Sequence, residues 1–303
     1  MLLSAGKLNR ESLAFKYLMI FDLASLPRAG EAYALEHSAT LSLHSQAGAE
    51  YRVHLAWPAT DAPSSGWPAV FMLDGETFGI AREIMRYQVG PGATPLAPPR
   101  ILVAIGYPGA SRRHADYGPA APGEPHAFRR FLLDELYPLV RQSMPIDPSC
   151  CTLMGHSLGG LFVLETLFED GLAAAQSNDA QGRFARYVAS SPSVWWQQGH
   201  LPEAARRFVQ AVRAAPVSHP RTLQVELSAA QYDEALSPAE LRLPERARAE
   251  LEHTRRTRAM VSGNRALAHL LQQVPGLQVD FHVFEDETHR SVWPRAIARA
   301  LRA

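Results

Sequence analysis

The chain has 303 residues, 47% of them hydrophobic and 20% charged, the balance of an ordinary soluble globular protein. Thirty basic and thirty acidic side chains cancel to a formal net charge of zero. Bulk charge therefore gives no reason to expect a nucleic-acid partner, and no apolar stretch approaches the length of a membrane span.

The length allows two small domains or one large α/β domain. Near the N-terminus, "FKYLMIFDLASLPRAG" holds a short apolar run, Tyr17 to Phe21, after basic residues. Asp22 interrupts it, so as an export signal it is short and damaged. We read residues 1–38 as an N-terminal extension, partly ordered or a degenerate signal, and residues 39–303 as one domain. Cytoplasm and periplasm both stay open as locations.

From Ala39 the pattern becomes regular. "ATLSLHS" and "YRVHLAW" alternate apolar and polar residues around a turn at Gly48, the signature of an antiparallel hairpin. "PAVFMLD" and "RILVAIGY" are near-continuous apolar runs, which suit central strands covered on both faces. A helix is expected from Pro125 to Ser143, with Phe128, Phe131, Leu132, Leu136, Leu139 and Val140 on one face and a bend or last turn at Pro138. "CCTLMG" is a short buried strand. Its adjacent Cys150 and Cys151 have poor geometry for a disulfide and no metal-ligand spacing, so they are read as small apolar strand residues.

"LGGLFVLETLFE" is a helix, "RFARYVASSPS" a strand and loop, "EAARRFVQAVRA" a helix and "TLQVELSA" a strand. "ERARAELEHTRRTRAMVSGNRALAHLLQQ" reads as helical with a break at Gly263. "LQVDFHVFE" is the last strand and "VWPRAIARAL" the last helix. Strands alternating with helices after an opening hairpin predict one mixed, mostly parallel sheet with helices on both faces. In such sheets chemistry sits at the carboxyl ends of the strands.

After "CCTLMG" comes Gly155-His156-Ser157-Leu158-Gly159, a G-x-S-x-G between a buried strand and a helix. In that context the pentapeptide is a nucleophile elbow. Small flanking residues permit a tight turn that lifts the serine hydroxyl and aims the Leu158 N–H at a reacting carbonyl. A tight turn that merely contains a serine is the bland alternative.

A serine needs a base. Of the twelve histidines, His44 and His54 lie on alternating strands, and His253 and His269 on the long helical stretch. His156 adjoins the serine but points elsewhere on the turn. His289 follows the final strand in a polar loop, where a base can reach a central elbow. The acid that orients the base belongs after the penultimate strand, where Asp233 and Glu234 both stand; Glu226 lies within that strand. Asp233 is preferred, with Glu234 or an acid-free dyad as alternatives. The loop after "VFMLD" supplies a second oxyanion donor, the N–H of Gly75 or Glu76, unless Asp74-Gly75 is a plain turn.

Taken together, "FMLDGE", "AIGY" with "RRHADY", "FLLDELYPLV", "GHSLGG", "SPSVWW" and "HRSVWP" resemble the esterase D family of α/β-hydrolases from about Thr40 onward. Within it the chain looks most like bacterial siderophore esterases, which cleave the trilactone backbone of enterobactin-type catecholates. The resemblance implies Ser157 as nucleophile, His289 as base and Asp233 as acid. The family glycine ahead of that acid reads Ala230 here. It also implies that Arg113 and Asp116 line the site mouth, where an anionic ferric catecholate would meet an arginine; a structural Arg113–Asp116 pair is the alternative. Trp195 and Trp196 would stack on catechol rings or simply pack beneath their loop. No metal or organic cofactor is implied, any iron belonging to the substrate. A general carboxylesterase or thioesterase, an acyltransferase and a non-catalytic binding protein are the competing readings.

Overall fold

The structure is a computed structural model that describes residues 35–89, 97–119, 126–177, 183–214 and 223–302. The expected N-terminal extension falls almost entirely outside these residues. His37–Ala303 form one compact unit.

The opening hairpin is present: β1 (Ser38–His44) and β2 (Glu50–Ala56) pair antiparallel, Ser38 opposite Ala56. Six further strands follow, β3 (Trp67–Leu73), β4 (Ile101–Gly106), β5 (Ile146–His156), β6 (Arg186–Ser190), β7 (Leu223–Ala230) and β8 (Leu277–Phe284). They join the hairpin in one eight-stranded sheet of order β1-β2-β4-β3-β5-β6-β7-β8. β2 runs antiparallel to β4, and every later pairing is parallel. The apolar runs sit where their composition requires. Every residue of β4 and β6 is buried, because helices cover both faces.

Alternate strand residues feed two cores. Phe71, Val103, Leu153, Tyr187 and Leu227 join the large aromatic cluster that includes Phe128, Phe131 and Phe162. Val70, Leu102, Met154 and Val188 are equally buried but lie outside that cluster. Helices α1 (Phe78–Val89) and α9 (Val292–Ala300) pack together, and Gln88 Nε2 donates to the Ala298 carbonyl across them at 2.9 Å.

The predicted Pro125–Ser143 helix is three contiguous segments within the described residues. After α2 (Arg113–Asp116), they are α3 (Ala127–Arg130), a wide π turn over Phe131–Leu136, and α4 (Tyr137–Ser143). Pro138 is the second residue of the last segment. Its missing N–H removes an i→i−4 bond, and the widened turn directly ahead of it accommodates that loss. Cys151 is buried as expected, but Cys150 is exposed, because the strand extends back to Ile146 and this end projects to solvent; neither cysteine is in a disulfide.

The elbow helix is α5 (Leu158–Ser177), followed by α6 (His200–Ala214). The expected break at Gly263 falls elsewhere. The stretch divides into α7 (Glu245–Arg258) and α8 (Met260–Leu271) at Ala259, which adopts left-handed backbone at φ 45°. Gly263 lies inside α8, where a Cβ would come within 2.9 Å of Val194 Cγ2, so its small size serves packing. Among the described residues no helix is long and apolar enough to cross a membrane.

Candidate active site

Ser157 stands between the last residue of β5 and the first turn of α5, with φ 59°. Left-handed backbone is costly for a residue with a Cβ and persists only where its surroundings fix it. Here the Ser157 N–H donates to the Ser190 carbonyl at 2.9 Å, and the Ser157 carbonyl accepts from Leu161 and Ser193. A Cβ at Gly155 would lie 2.6 Å from the Gly159 carbonyl carbon and oxygen, which is why that position is glycine. Leu158 opens α5, so its N–H is one of four with no intrahelical acceptor.

His289 sits in the loop between β8 and α9. Its Nε2 is 3.0 Å from Ser157 Oγ, and its Nδ1 is 3.0 Å from Asp233 Oδ1. Asp233 closes a single 3-10 turn after β7, its side chain 3% exposed. Its Oδ2 accepts from Ser191 Oγ at 2.8 Å and from the Ala230 N–H at 3.3 Å. Burial raises the Asp233 pKa, but the bonds to His289, Ser191 and Ala230 outweigh it and leave the carboxyl below its ordinary value. The two loops are tied together. Tyr232 N–H donates to the Glu287 carbonyl, Asp286 N–H to Gln231 Oε1, and Tyr232 Oη to Asp286 Oδ1. Because β7 and β8 are neighbours, acid and base leave adjacent strand ends.

His156 is no base. Its Nδ1 is 3.1 Å from the Ser190 carbonyl, and its ring stacks on Trp293 and lies 4.6 Å from the His289 ring. Burial, then the charge of His289, pushes its pKa down to about 3, so it stays neutral beneath the catalytic-looking imidazole. Gly75 begins a 3-10 turn at the end of β3, and a Cβ there would come within 2.7 Å of the Gly106 N. Only glycine lets that turn approach β4 so closely.

The family model described as a putative esterase matches residues 45–303. The chain belongs to this esterase family. Ferri-bacillibactin esterase BesA of Bacillus subtilis (strain 168) is 29% identical to it over 273 residues, 83% of each chain. Apo-salmochelin esterase of Escherichia coli O6:H1 is 31% identical over 166 residues, 48% of this chain and 47% of that one. Among solved structures, the BES protein from Bacillus cereus matches with a TM-score of 0.68 at 27% identity, over 90% of this chain and 98% of that one. Siderophore hydrolase EstB from Aspergillus nidulans reaches a TM-score of 0.74 at 22% identity, over 90% and 96%, a likeness of fold. The esterase thus has the α/β-hydrolase fold, as its strand pattern predicts.

The two candidate acids of the esterase separate cleanly. Glu234 turns away from His289, and its Oε2 accepts from the N–H groups of Val261 and Ser262 at 2.8 and 2.7 Å. It caps the N-terminus of α8. Glu226 lies in the buried network of Arg186 and Arg299. Replacing Glu234 by alanine should therefore cost about 0.5–2 kcal/mol of stability, the usual loss for a helix cap. Thermal melting and ester turnover check this together. A large fall in kcat without a fall in melting temperature would return Glu234 to the list of acids.

The alternative of an Arg113–Asp116 pair is not what forms. Asp116 pairs with Arg112, one helical turn back, at 3.5 Å. Arg113 instead reaches Asp74, at 3.1 Å. Trp195 and Trp196 contact each other edge-on at 5.4 Å; Arg258 lies over the Trp195 ring at 4.6 Å, and His114 is 5.7 Å from the Trp196 ring. Both tryptophans remain partly exposed.

Sequence reasoning missed Ser191 and Ser193. Ser193 Oγ lies 3.3 Å from Ser157 Oγ, and Ser191 Oγ donates to Asp233. The signal was present in "SPSVWW", whose serines follow a strand end one strand from the elbow. Among the described residues no group of three or more His, Cys, Asp or Glu side chains is arranged to hold a metal ion.

Proposed function

We propose that this esterase hydrolyses the ester backbone of catecholate siderophores of the enterobactin type through an acyl-Ser157 intermediate. One observation carries the chemistry: the unbroken line Asp233–His289–Ser157, with both links at 3.0 Å. His289 Nε2 takes the Ser157 proton as Oγ attacks the ester carbonyl, and Asp233 stabilises the imidazolium. The N–H groups of Leu158 and Gly75 hold the oxyanion. His289 returns its proton to the departing alkoxide. It then activates water, and hydrolysis of the acyl-enzyme frees the acid.

The substrate class rests on the relatives. BesA is named for a ferric siderophore and matches over most of both chains. The exposed faces of Trp195 and Trp196 suit flat aryl rings. The Arg258 cation beside Trp195 suits an anionic complex, with the iron carried by the substrate.

The test is a substrate panel: enterobactin, ferric enterobactin, ferri-bacillibactin and p-nitrophenyl butyrate, followed by product analysis. The expected result is trilactone cleavage with kcat/KM above that for the butyrate ester. Fast butyrate turnover with all trilactones untouched would make this a general carboxylesterase. Acyl transfer to an added alcohol in preference to water would make it an acyltransferase.

A further inference from the structure

The Ser191-Pro192-Ser193 loop after β6 touches both ends of the line Asp233–His289–Ser157. Ser191 Oγ donates to Asp233 Oδ2 at 2.8 Å, and Ser193 Oγ lies 3.3 Å from Ser157 Oγ. The loop is held from three sides. Ser191 N–H donates to the Ser228 carbonyl of β7 at 2.7 Å, Asn264 Nδ2 of α8 to the Pro192 carbonyl at 3.2 Å, and Ser193 N–H to the Ser157 carbonyl at 3.2 Å. A Cβ at Gly160 would meet Pro192 Cα at 3.2 Å, so the elbow helix leaves the loop little more room than it takes. Ser193 is 2% exposed, and its hydroxyl has no other hydrogen-bond partner among the described residues.

Proton counting fixes the direction of the Ser193 contact. The ionised Asp233 can only accept, so His289 Nδ1 carries the proton between them. Nε2 of the neutral ring is then an acceptor, and Ser157 donates its one hydroxyl proton to it. Ser157 Oγ has nothing left to donate, so Ser193 is the donor to its lone pair. At 3.3 Å this bond is weak while Oγ is neutral. It shortens and strengthens as negative charge gathers on Oγ, because bonds to ionised acceptors are shorter and about twice as strong. A bond that is stronger in the transition state than in the ground state raises kcat.

We propose that Ser193 is a further catalytic residue, a fixed hydroxyl that donates to Ser157 Oγ while that oxygen carries charge. The proposal rests on the acyl-Ser157 reading given above. In acylation the Ser157 proton passes to His289 Nε2, an Oγ lone pair forms the bond to the ester carbon, and Ser193 keeps its own proton throughout. In deacylation the bond from that carbon to Oγ breaks, charge returns to Oγ, and the same donor meets it before His289 gives the proton back. The task is separate from that of the proposed oxyanion donors, Leu158 and Gly75. Theirs is the charge on the carbonyl oxygen; that of Ser193 is the charge on the nucleophile.

The test uses p-nitrophenyl butyrate and a fluorophosphonate, both of which report attack by Ser157. Ser193→Ala should lower kcat on the butyrate ester on the order of 10- to 100-fold with KM little changed, the loss expected for one hydrogen bond to a charged group. The change leaves no buried donor unpaired, so the fold stands. The rate constant for fluorophosphonate labelling should fall by a similar factor, although no carboxylic ester is bound. Ser193→Cys fills the same space with a thiol, a weak donor, and should lose kcat as well. The proposal is overturned if Ser193→Ala keeps the wild-type kcat and labelling rate, or if it raises KM alone. It is equally overturned if Ser193→Cys retains the full rate, since the side chain would then serve packing and not donation. Failure of the underlying reading looks different: butyrate turnover that survives Ser157→Ala removes the nucleophile, and the Ser193 donor with it.

Discussion

Replacing Ser157 by alanine should lower kcat for ester hydrolysis about 10⁶-fold, the loss seen when a serine nucleophile is removed from an intact triad. The reason is specific to this elbow. Ser157 Oγ is the atom that His289 Nε2 meets at 3.0 Å. The neighbouring hydroxyl of Ser193, 3.3 Å from that oxygen, is no substitute. Its backbone N–H is committed to the Ser157 carbonyl, and its position follows from the β6 loop. The alanine variant keeps the Leu158 and Gly75 amides, so binding survives while the covalent step is gone. Ferric enterobactin should still quench the fluorescence of Trp195 and Trp196, and a fluorophosphonate should no longer label the protein. A variant that keeps even a few per cent of wild-type kcat would mean that Ser157 is not the attacking group.

What was legible in the sequence was what local pattern determines. G-x-S-x-G between an apolar run and a helical period is one continuous segment, and the elbow follows from it. His289 was legible because it is the histidine that directly follows the last strand. The acid was not. Asp233 ends a 3-10 turn and Glu234 directly follows it, so the two neighbouring side chains leave in different directions. Which carboxylate faces the base depends on where α8 begins, since its free N–H groups draw Glu234 outward. The same contact explains the misplaced helix break. Ala259 carries no breaker signal, and glycine at 263 looks like one. Arg113 was legible as a site residue but not as to its partner. Asp116 is three residues away on one short helix, whereas Asp74 is 39 positions distant and is reached because β3, which it follows, and β4, which precedes Arg113, are neighbours in the sheet.

This division also orders the site by how it is held. The proposed nucleophile lies on a turn fixed by backbone bonds, and the loop of the proposed base is tied to the Asp233 loop by one backbone bond and by the Gln231 and Tyr232 side chains. The proposed acid, the proposed oxyanion loop and Arg113 are held chiefly by side chains from other parts of the chain, Ser191 after β6, Tyr117 after α2 and Asp74 after β3. Substitutions in the second group should act on rate through geometry and leave the fold standing.

Asp233→Asn should lower kcat about 10⁴-fold, as a carboxylate-to-amide change does when it imposes the wrong histidine tautomer. The hydrogen bonds around Asp233 dictate that outcome here. Oδ2 receives two donors, the Ser191 hydroxyl and the Ala230 N–H. A hydroxyl can rotate, but the backbone N–H cannot, so the amide must place its oxygen there. Its NH₂ then faces His289 Nδ1 and donates to it. The imidazole proton is forced onto Nε2, 3.0 Å from Ser157 Oγ, where a proton acceptor is required. The serine loses its base although every heavy atom stays in place. Acidity gives an independent check. The folded carboxyl titrates below its unfolded value of about 3.9, so its stabilising contribution is present above that value and is lost as pH falls through the folded pKa. The asparagine variant should lack this acid-dependent loss. Single-turnover acylation by p-nitrophenyl butyrate and acid melting curves measure the two effects. A loss of kcat below about tenfold would show a Ser157–His289 dyad with Asp233 as a bystander, since removing an orienting acid from a working triad costs far more.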